Sequence, residues 1–353
     1  MTAVVSIPRS PSDVTAEWLR EVLGAPVAAV DVAPIGTGQT GATYRVSVSY
    51  SESTELPATF AIKLPSQDDS VRDRVAIGYK SEHAFYTGIA SHVDIPFPVC
   101  HYCEIDNDGA DFAMLMTDLA PAEQGDQLAG CSIDEAVLAV RALAGLHGPS
   151  WCDPQWSAFP GISMPKANEE FAKGFGEVAK MAADITVEKL GDRMSAEDRQ
   201  TLLESMSMVY PWLMTEQDRH ALLHGDYRLD NMLFNPGRTE VTVVDWQTIG
   251  NGLPARDLAY FTGTSLIPSV RAEADRQLVD AYHDELMRYG VSDYDRAACW
   301  NDYRLGMLQG PLLVVLGTAF ATSTERGDEM MLTMTARSCQ AIRDLDSLSL
   351  IAG

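Results

Sequence analysis

The stretch 222-LLHGDYRLDNMLFNPGRTEVTVVDWQTIGNG-252 governs how the rest of the chain is read. Leu222 and Leu223 lead into His224-Gly225-Asp226, Asn231 follows five residues after Asp226, and Asp245 ends the apolar run VTVV. Two carboxylates and a carboxamide set between apolar segments offer the oxygen ligands that a magnesium-bound nucleotide needs. Phosphoryl transfer asks little more of a protein: a positioned hydroxyl, a carboxylate to accept its proton, and cations to neutralise the moving charge. The bland alternative is a turn in which His224 satisfies a core hydrogen bond and Asp226 caps a short helix. Asp230 reads as surface charge. Arg228 either stabilises the loop or meets an anionic acceptor, and Asp257 in ARDLAYF sits where an N-cap would precede a helix.

Toward the N-terminus, GTGQTG puts Gly36, Gly38 and Gly41 in G-x-G-x-x-G spacing. Glycines so placed let backbone turn tightly and approach phosphate oxygens. Such a loop in a dinucleotide-binding crossover runs straight into a helix. Here it enters YRVSVSY, whose alternation predicts a strand, so a glycine-rich hairpin over nucleotide phosphates fits better. Lys63 lies in the apolar strand ATFAIKLP, and Glu82 follows nineteen residues later within a helical pattern over 69–90. A charge in such a strand needs a partner, and Glu82 can hold the Lys63 ammonium beside nucleotide phosphates. The alternative leaves Lys63 snorkelling from an edge strand and Glu82 as one surface acid among many.

The string H-G-D-x-x-x-x-N followed by D-W resembles the catalytic segment of aminoglycoside phosphotransferase and choline-kinase-like enzymes, relatives of the protein kinases. The resemblance runs from about Ile35 to Phe261 in one order: glycine loop, lysine, helix glutamate, hinge, catalytic loop, metal aspartate. It implies an α+β, two-lobed protein-kinase-like fold, with a small, mainly antiparallel-sheet N-lobe and a larger helical C-lobe. It also implies ATP with magnesium, Asp226 as the group that orients or deprotonates the acceptor hydroxyl, and Asn231 and Asp245 as metal ligands. His224 would brace the loop through its ring nitrogens. Backbone groups of Met116, Thr117 and Leu119, around Asp118, would bind adenine. DWQTIGNGLPARDLAYF is similar to the choline/ecdysteroid-kinase-like branch, whereas HGDYRLDNMLF is similar to phosphotransferase domains associated with acyl-CoA dehydrogenases, which act on hydroxyacyl thioesters. The acceptor is therefore a small hydroxyl-bearing molecule of unspecified kind, with an aminoglycoside or a hydroxyacyl thioester as alternatives. A nucleotide-binding, pseudokinase-like module is the non-enzymatic reading.

Apolar spacing changes from strand-like to helical near residues 118–122, so 1–118 is expected to form the nucleotide-covering lobe and 119–353 the catalytic and acceptor-binding lobe. Trp300, Asp302, Tyr303 and Arg304 are candidates for an acceptor wall in the C-terminal helices. The net charge of -24, from 50 acidic and 26 basic side chains, is spread along the chain. Nucleic acid and anionic membrane are poor partners for such a surface, whereas a cationic acceptor would be attracted. Six irregularly spaced cysteines predict no disulfide scaffold, and the lone Cys100-x-x-Cys103 lacks the further ligands of a structural zinc site. The N-terminus does not look like a secretion signal, and the longest apolar run, Pro311 to Ala321, is far shorter than the ~20 residues of a membrane span. A cytoplasmic enzyme is the expectation.

Overall fold

In the computed structural model, which describes residues 6–35, 41–215 and 217–351, the chain opens with helix α1 (Ala16–Leu23). Thr15 caps it by accepting a hydrogen bond from the Trp18 amide, and its inward residues are Trp18 and Leu19. Strands β1 (Val27–Ile35), β2 (Gly41–Tyr50) and β3 (Thr59–Pro65) follow, then helix α2 (Asp69–Ala84), β4 (Cys100–Asp106) and β5 (Asp111–Thr117). The five strands form one antiparallel sheet in the order β1-β2-β3-β5-β4. Gly41 opens β2 opposite Pro65, while Gly36 and Gly38 lie outside the described residues.

The two-residue period of β3 sorts its side chains. Phe60, Ile62 and Leu64 point into a core shared with Val14, Trp18 and Leu19. Lys63, opposite Thr43 on one side and Met114 on the other, is thereby turned to the opposite face, which α2 covers. The 69–90 pattern is not one continuous α-helix. Beyond Ala84 the coil widens into a π turn over Phe85–Ile89 and closes with a 3-10 turn at Ala90–His92. The wider turn lets Phe85 stack on Trp246, with ring centroids 3.7 Å apart and planes within 3°.

After the short strand β6 (Glu123–Gln124) come α3 (Ile133–His147), α4 (Glu169–Leu190), α5 (Ala196–Ser207) and α6 (Val209–Met214). The helical stretch over 196–214 is interrupted at Met208. Pro211 accounts for the break, because its ring would clash with the carbonyl four residues back, yet it is tolerated in the first turn of a new helix. Four short strands then frame the opening stretch: β7 (Ala221–Leu223), β8 (Met232–Phe234), β9 (Val241–Val243) and β10 (Gly250–Gly252). β7 pairs with β10, and β8 lies between β6 and β9. The chain ends in α7 (Ala255–Ser265), α8 (Pro268–Arg288), α9 (Arg296–Gly306), α10 (Gln309–Phe320) and α11 (Glu325–Asp344). The largest apolar core runs through these helices and includes Trp246 and Phe85, so the C-lobe core reaches the π turn that follows α2. A sheet lobe followed by a larger helical lobe is the two-lobed, kinase-like α+β fold expected from the sequence. Among the described residues no helix is long and apolar enough to cross a membrane.

Candidate active site

The β3 alternation and the packing of α2 meet at one ion cluster. Lys63 Nζ lies 2.7 Å from Glu82 Oε2 and 3.1 Å from Asp245 Oδ1. Glu82 is 1% exposed and Lys63 9%. Burial pulls the ammonium's pKa down, and the carboxylates of Asp245 and Glu82 more than reverse that, holding it above its ordinary value. Gln247 adds a hydrogen bond to Glu82 at 3.4 Å.

The catalytic-loop segment is held by buried polar groups. His224 Nε2 lies 3.1 Å from the Val244 carbonyl, and its Nδ1 accepts the Asp226 amide at 3.3 Å, so both ring nitrogens brace the loop as the resemblance implied. Gly225 has φ of 82°, and a Cβ there would meet the Thr248 carbonyl oxygen at 2.1 Å, so only glycine fits. Asp257 does not cap α7: Pro254 holds the N-cap position, and Asp257 sits inside the first turn. From there its fully buried carboxylate accepts the amides of His224 at 2.6 Å and Gly225 at 3.1 Å. The sequence suggested a cap able to orient the loop, and the orienting contact is the one present.

Asp226 is ringed by donors. Tyr260 Oη donates to Oδ1 at 2.9 Å, while Arg228 Nε and Asn231 Nδ2 each lie 3.0 Å from Oδ2. Burial raises the carboxyl's pKa, but Arg228 and Tyr260 outweigh it and leave Asp226 below its ordinary value. Arg228 also reaches Asp230 at 3.3 Å and the Met330 sulfur at 2.9 Å. Asp230 is not simple surface charge, since its carboxylate accepts the Gln127 amide at 3.0 Å and ties the 124–127 loop to the site. Asn231 spends its Nδ2 on the Asp226 carbonyl and carboxylate, which leaves Oδ1 as an oxygen donor. Asp245 has φ of 69°, in the left-handed region.

At the expected hinge, Asp118 pairs with Arg45 at 2.7 Å, the Thr117 amide donates to the Val99 carbonyl, and the Leu119 carbonyl accepts the Ala122 amide. Met116 sits in the β5 ladder opposite Ala61 and Cys100. The proposed acceptor wall in α9 is a different matter. Asp302 binds Arg219 and Tyr294, Tyr303 donates to Asp275, Arg304 Nε donates to the Leu345 carbonyl, and Trp300 lies under Arg276. These groups are committed to C-lobe packing. The helical side chain that touches Asp226 is Tyr260 of α7, which packs with Val314 of α10 and with Met330 and Met334 of α11, and of these Met330 meets Arg228. Their spacing within separate helices gave no sign that they converge; only Tyr260, three residues after Asp257 on α7, was within reach of a same-face argument.

Thus Lys63, Glu82 and Asp245 are joined in one cluster, and Asp226 and Asn231 in a second formed by the same loop region. All six cysteines are free thiols. No group of three or more His, Cys, Asp or Glu side chains suited to a metal occurs among the described residues.

Comparison with known proteins agrees with this architecture. Choline kinase from Cryptosporidium parvum shares the fold at a TM-score of 0.56 with 12% identity, over 91% of each chain. A microcompartment-associated aminopropanol kinase shares it at 0.56 with 18% identity, over 91% of this chain and 94% of that one. Sequence similarity to curated proteins is local. Acyl-CoA dehydrogenase family member 11 of Gallus gallus is 39% identical over 67 residues, which is 18% of this chain and 9% of that protein. Family member 10 of Mus musculus is 38% identical over 71 residues, 19% of this chain and 7% of that protein. The family model described as "Phosphotransferase enzyme family" matches residues 31–300. The chain therefore belongs to the phosphotransferase enzyme family.

Proposed function

We propose that the chain transfers the γ-phosphoryl group of magnesium-bound ATP to a small alcohol, with Asp226 as the residue that meets the acceptor hydroxyl. The observation that carries this is the placement of Lys63 between Glu82 and Asp245 across the two lobes. Lys63 holds its charge where the nucleotide phosphates would lie, and Glu82 fixes it there. By its sequence the glycine loop is assigned to the phosphates, and Met116, Thr117 and Leu119 to the base. Of these three, the Thr117 N–H is spent on Val99, whereas the Leu119 N–H has no backbone partner among the described residues.

Magnesium fits the residues present. It takes one or two protein carboxylates or amides and fills its octahedron with phosphate oxygens and water, so a site of Asp245 and the free Oδ1 of Asn231 suffices. When bound, it neutralises charge on the transferring group. The acceptor oxygen bonds to the γ-phosphorus as the bond to the β–γ bridging oxygen breaks, and ADP leaves. Asp226 orients the hydroxyl and receives its proton. Because Arg228 and Tyr260 hold this carboxylate low, proton transfer is late and orientation is its larger contribution, in keeping with a loose transition state.

The test combines a metabolite-extract screen using labelled ATP with an Asp226→Ala chain. The expected result is one acceptor class gaining label, and a fall in turnover of roughly 10²–10⁴-fold in the variant with Mg-ATP affinity retained. Undiminished turnover would remove Asp226 from the mechanism. Tight Mg-ATP binding with no transfer to any acceptor would favour the pseudokinase-like module.

A further inference from the structure

In a chain of net charge -24, a recess lined, among the described residues, by basic side chains and by no carboxylate stands out. It lies behind the catalytic loop. Lys166, Arg219, His220 and Arg256 line it, together with Asn251 and Gly252. It encloses about 30 Å³, against the ~10–15 Å³ that one water requires. That is room for a small ion and too little for an acceptor chain.

The inner wall of the recess is chemically unfinished. Asn251 is 3% exposed, and neither its Nδ2 nor its Oδ1 has a hydrogen-bond partner among the described residues. Buried amides almost always have one. His220 Nδ1 is in the same condition. Arg256 donates Nε and Nη2 to Gln309 Oε1 at 3.0 and 2.8 Å, a neutral acceptor. Its Nη1 lies 3.3 Å from where a Cβ on Gly252 would sit, so the glycine keeps the space before the guanidinium open. The Trp212 ring, 4.5 Å from the guanidinium carbon, supplies an aromatic face and no charge. Burial pushes the pKa of Arg256 down to about 10. Arg219 is already neutralised by Asp302 at 2.7 Å, which leaves Lys166 and Arg256 as the cations in excess.

We propose that this recess binds a small inorganic oxyanion, of the orthophosphate or sulfate class, through Arg256 Nη1, the Asn251 side-chain amide and Lys166. Charge-assisted hydrogen bonds to such an ion satisfy the buried amide and the under-compensated guanidinium together. The site is separate from the nucleotide cleft, since none of its lining residues belongs to the Lys63, Asp226 or Asp245 clusters. It nevertheless abuts the catalytic loop: Asn251 pairs with Leu222 in the β7–β10 ladder, and Arg256 immediately precedes Asp257.

The experiment is calorimetric titration of inorganic phosphate into the full chain at constant ionic strength, using wild type and the variants Lys166→Glu, Asn251→Ala and Lys63→Met. Saturable binding is expected in wild type and in Lys63→Met, weakened by roughly tenfold or more in Lys166→Glu and Asn251→Ala. Lys166 is on a partly exposed loop, so its reversal tests the site even if the core change at Asn251 prevents folding; circular dichroism verifies the fold of each chain. Two results overturn the proposal. One is no saturable binding by wild type; the other is binding that survives in Lys166→Glu and disappears in Lys63→Met, which would put the phosphate in the nucleotide cleft.

Discussion

Asp226 is a carboxylate that three donors already claim. Arg228 is the strongest of them electrostatically, and its removal lets the Asp226 pKa rise. A group held low stays ionised further into acid, so the acid limb of the kcat/KM profile lies below the ordinary carboxylate range in wild type. In Arg228→Met that limb moves to higher pH, which a pH–rate series measures directly. Asp257 makes a different kind of prediction. Its carboxylate satisfies two buried amides, and Asp257→Ala leaves both unpaired at a cost of roughly 1–3 kcal/mol each, read by urea unfolding. The residue-level motif was open to view because H-G-D-x-x-x-x-N and D-W are contiguous strings. Tyr260 and Met330 were hidden because their contacts, with Asp226 and Arg228 respectively, depend on how the helices pack, and no local period encodes that.

Among elements, the π turn after α2 matters most, since it carries Phe85 onto Trp246, the chain neighbour of Asp245. Trp246→Ala removes the whole stacked face from a sealed core and is expected to cost about 3–5 kcal/mol, measured by chemical denaturation. The helical pattern over 69–90 was readable in the sequence, but the π turn was not: a single five-residue turn at the end of a helix is too short for a change of period to register. The position of Pro211 within the first turn of α6 explains why two helices form over 196–214 instead of one.

On the scale of the whole molecule, the change from strand-like to helical spacing near 118–122 made the two-lobed plan legible, and the β1-β2-β3-β5-β4 order was not, because strand neighbours are set by long-range pairing. A nucleotide that touches both lobes binds the folded chain and not the unfolded one. Mg-ATP at a hundred times its Kd should therefore add about 2.7 kcal/mol to stability, seen as a raised Tm, and Lys63→Met should reduce that gain. The acidic excess predicts a second dependence: self-repulsion among like charges is screened by salt, so Tm at neutral pH should rise with sodium chloride concentration.

The ion pair between Lys63 and Asp245 spans the two lobes before any ligand arrives. A divalent ion coming alone would find its anchoring oxygen already taken by an ammonium and would have to evict it without compensation. Arriving on a triphosphate, the same ion brings the anionic oxygens to which the lysine can transfer. If Asp245 holds the metal as proposed, magnesium and nucleotide are expected to enter as one species.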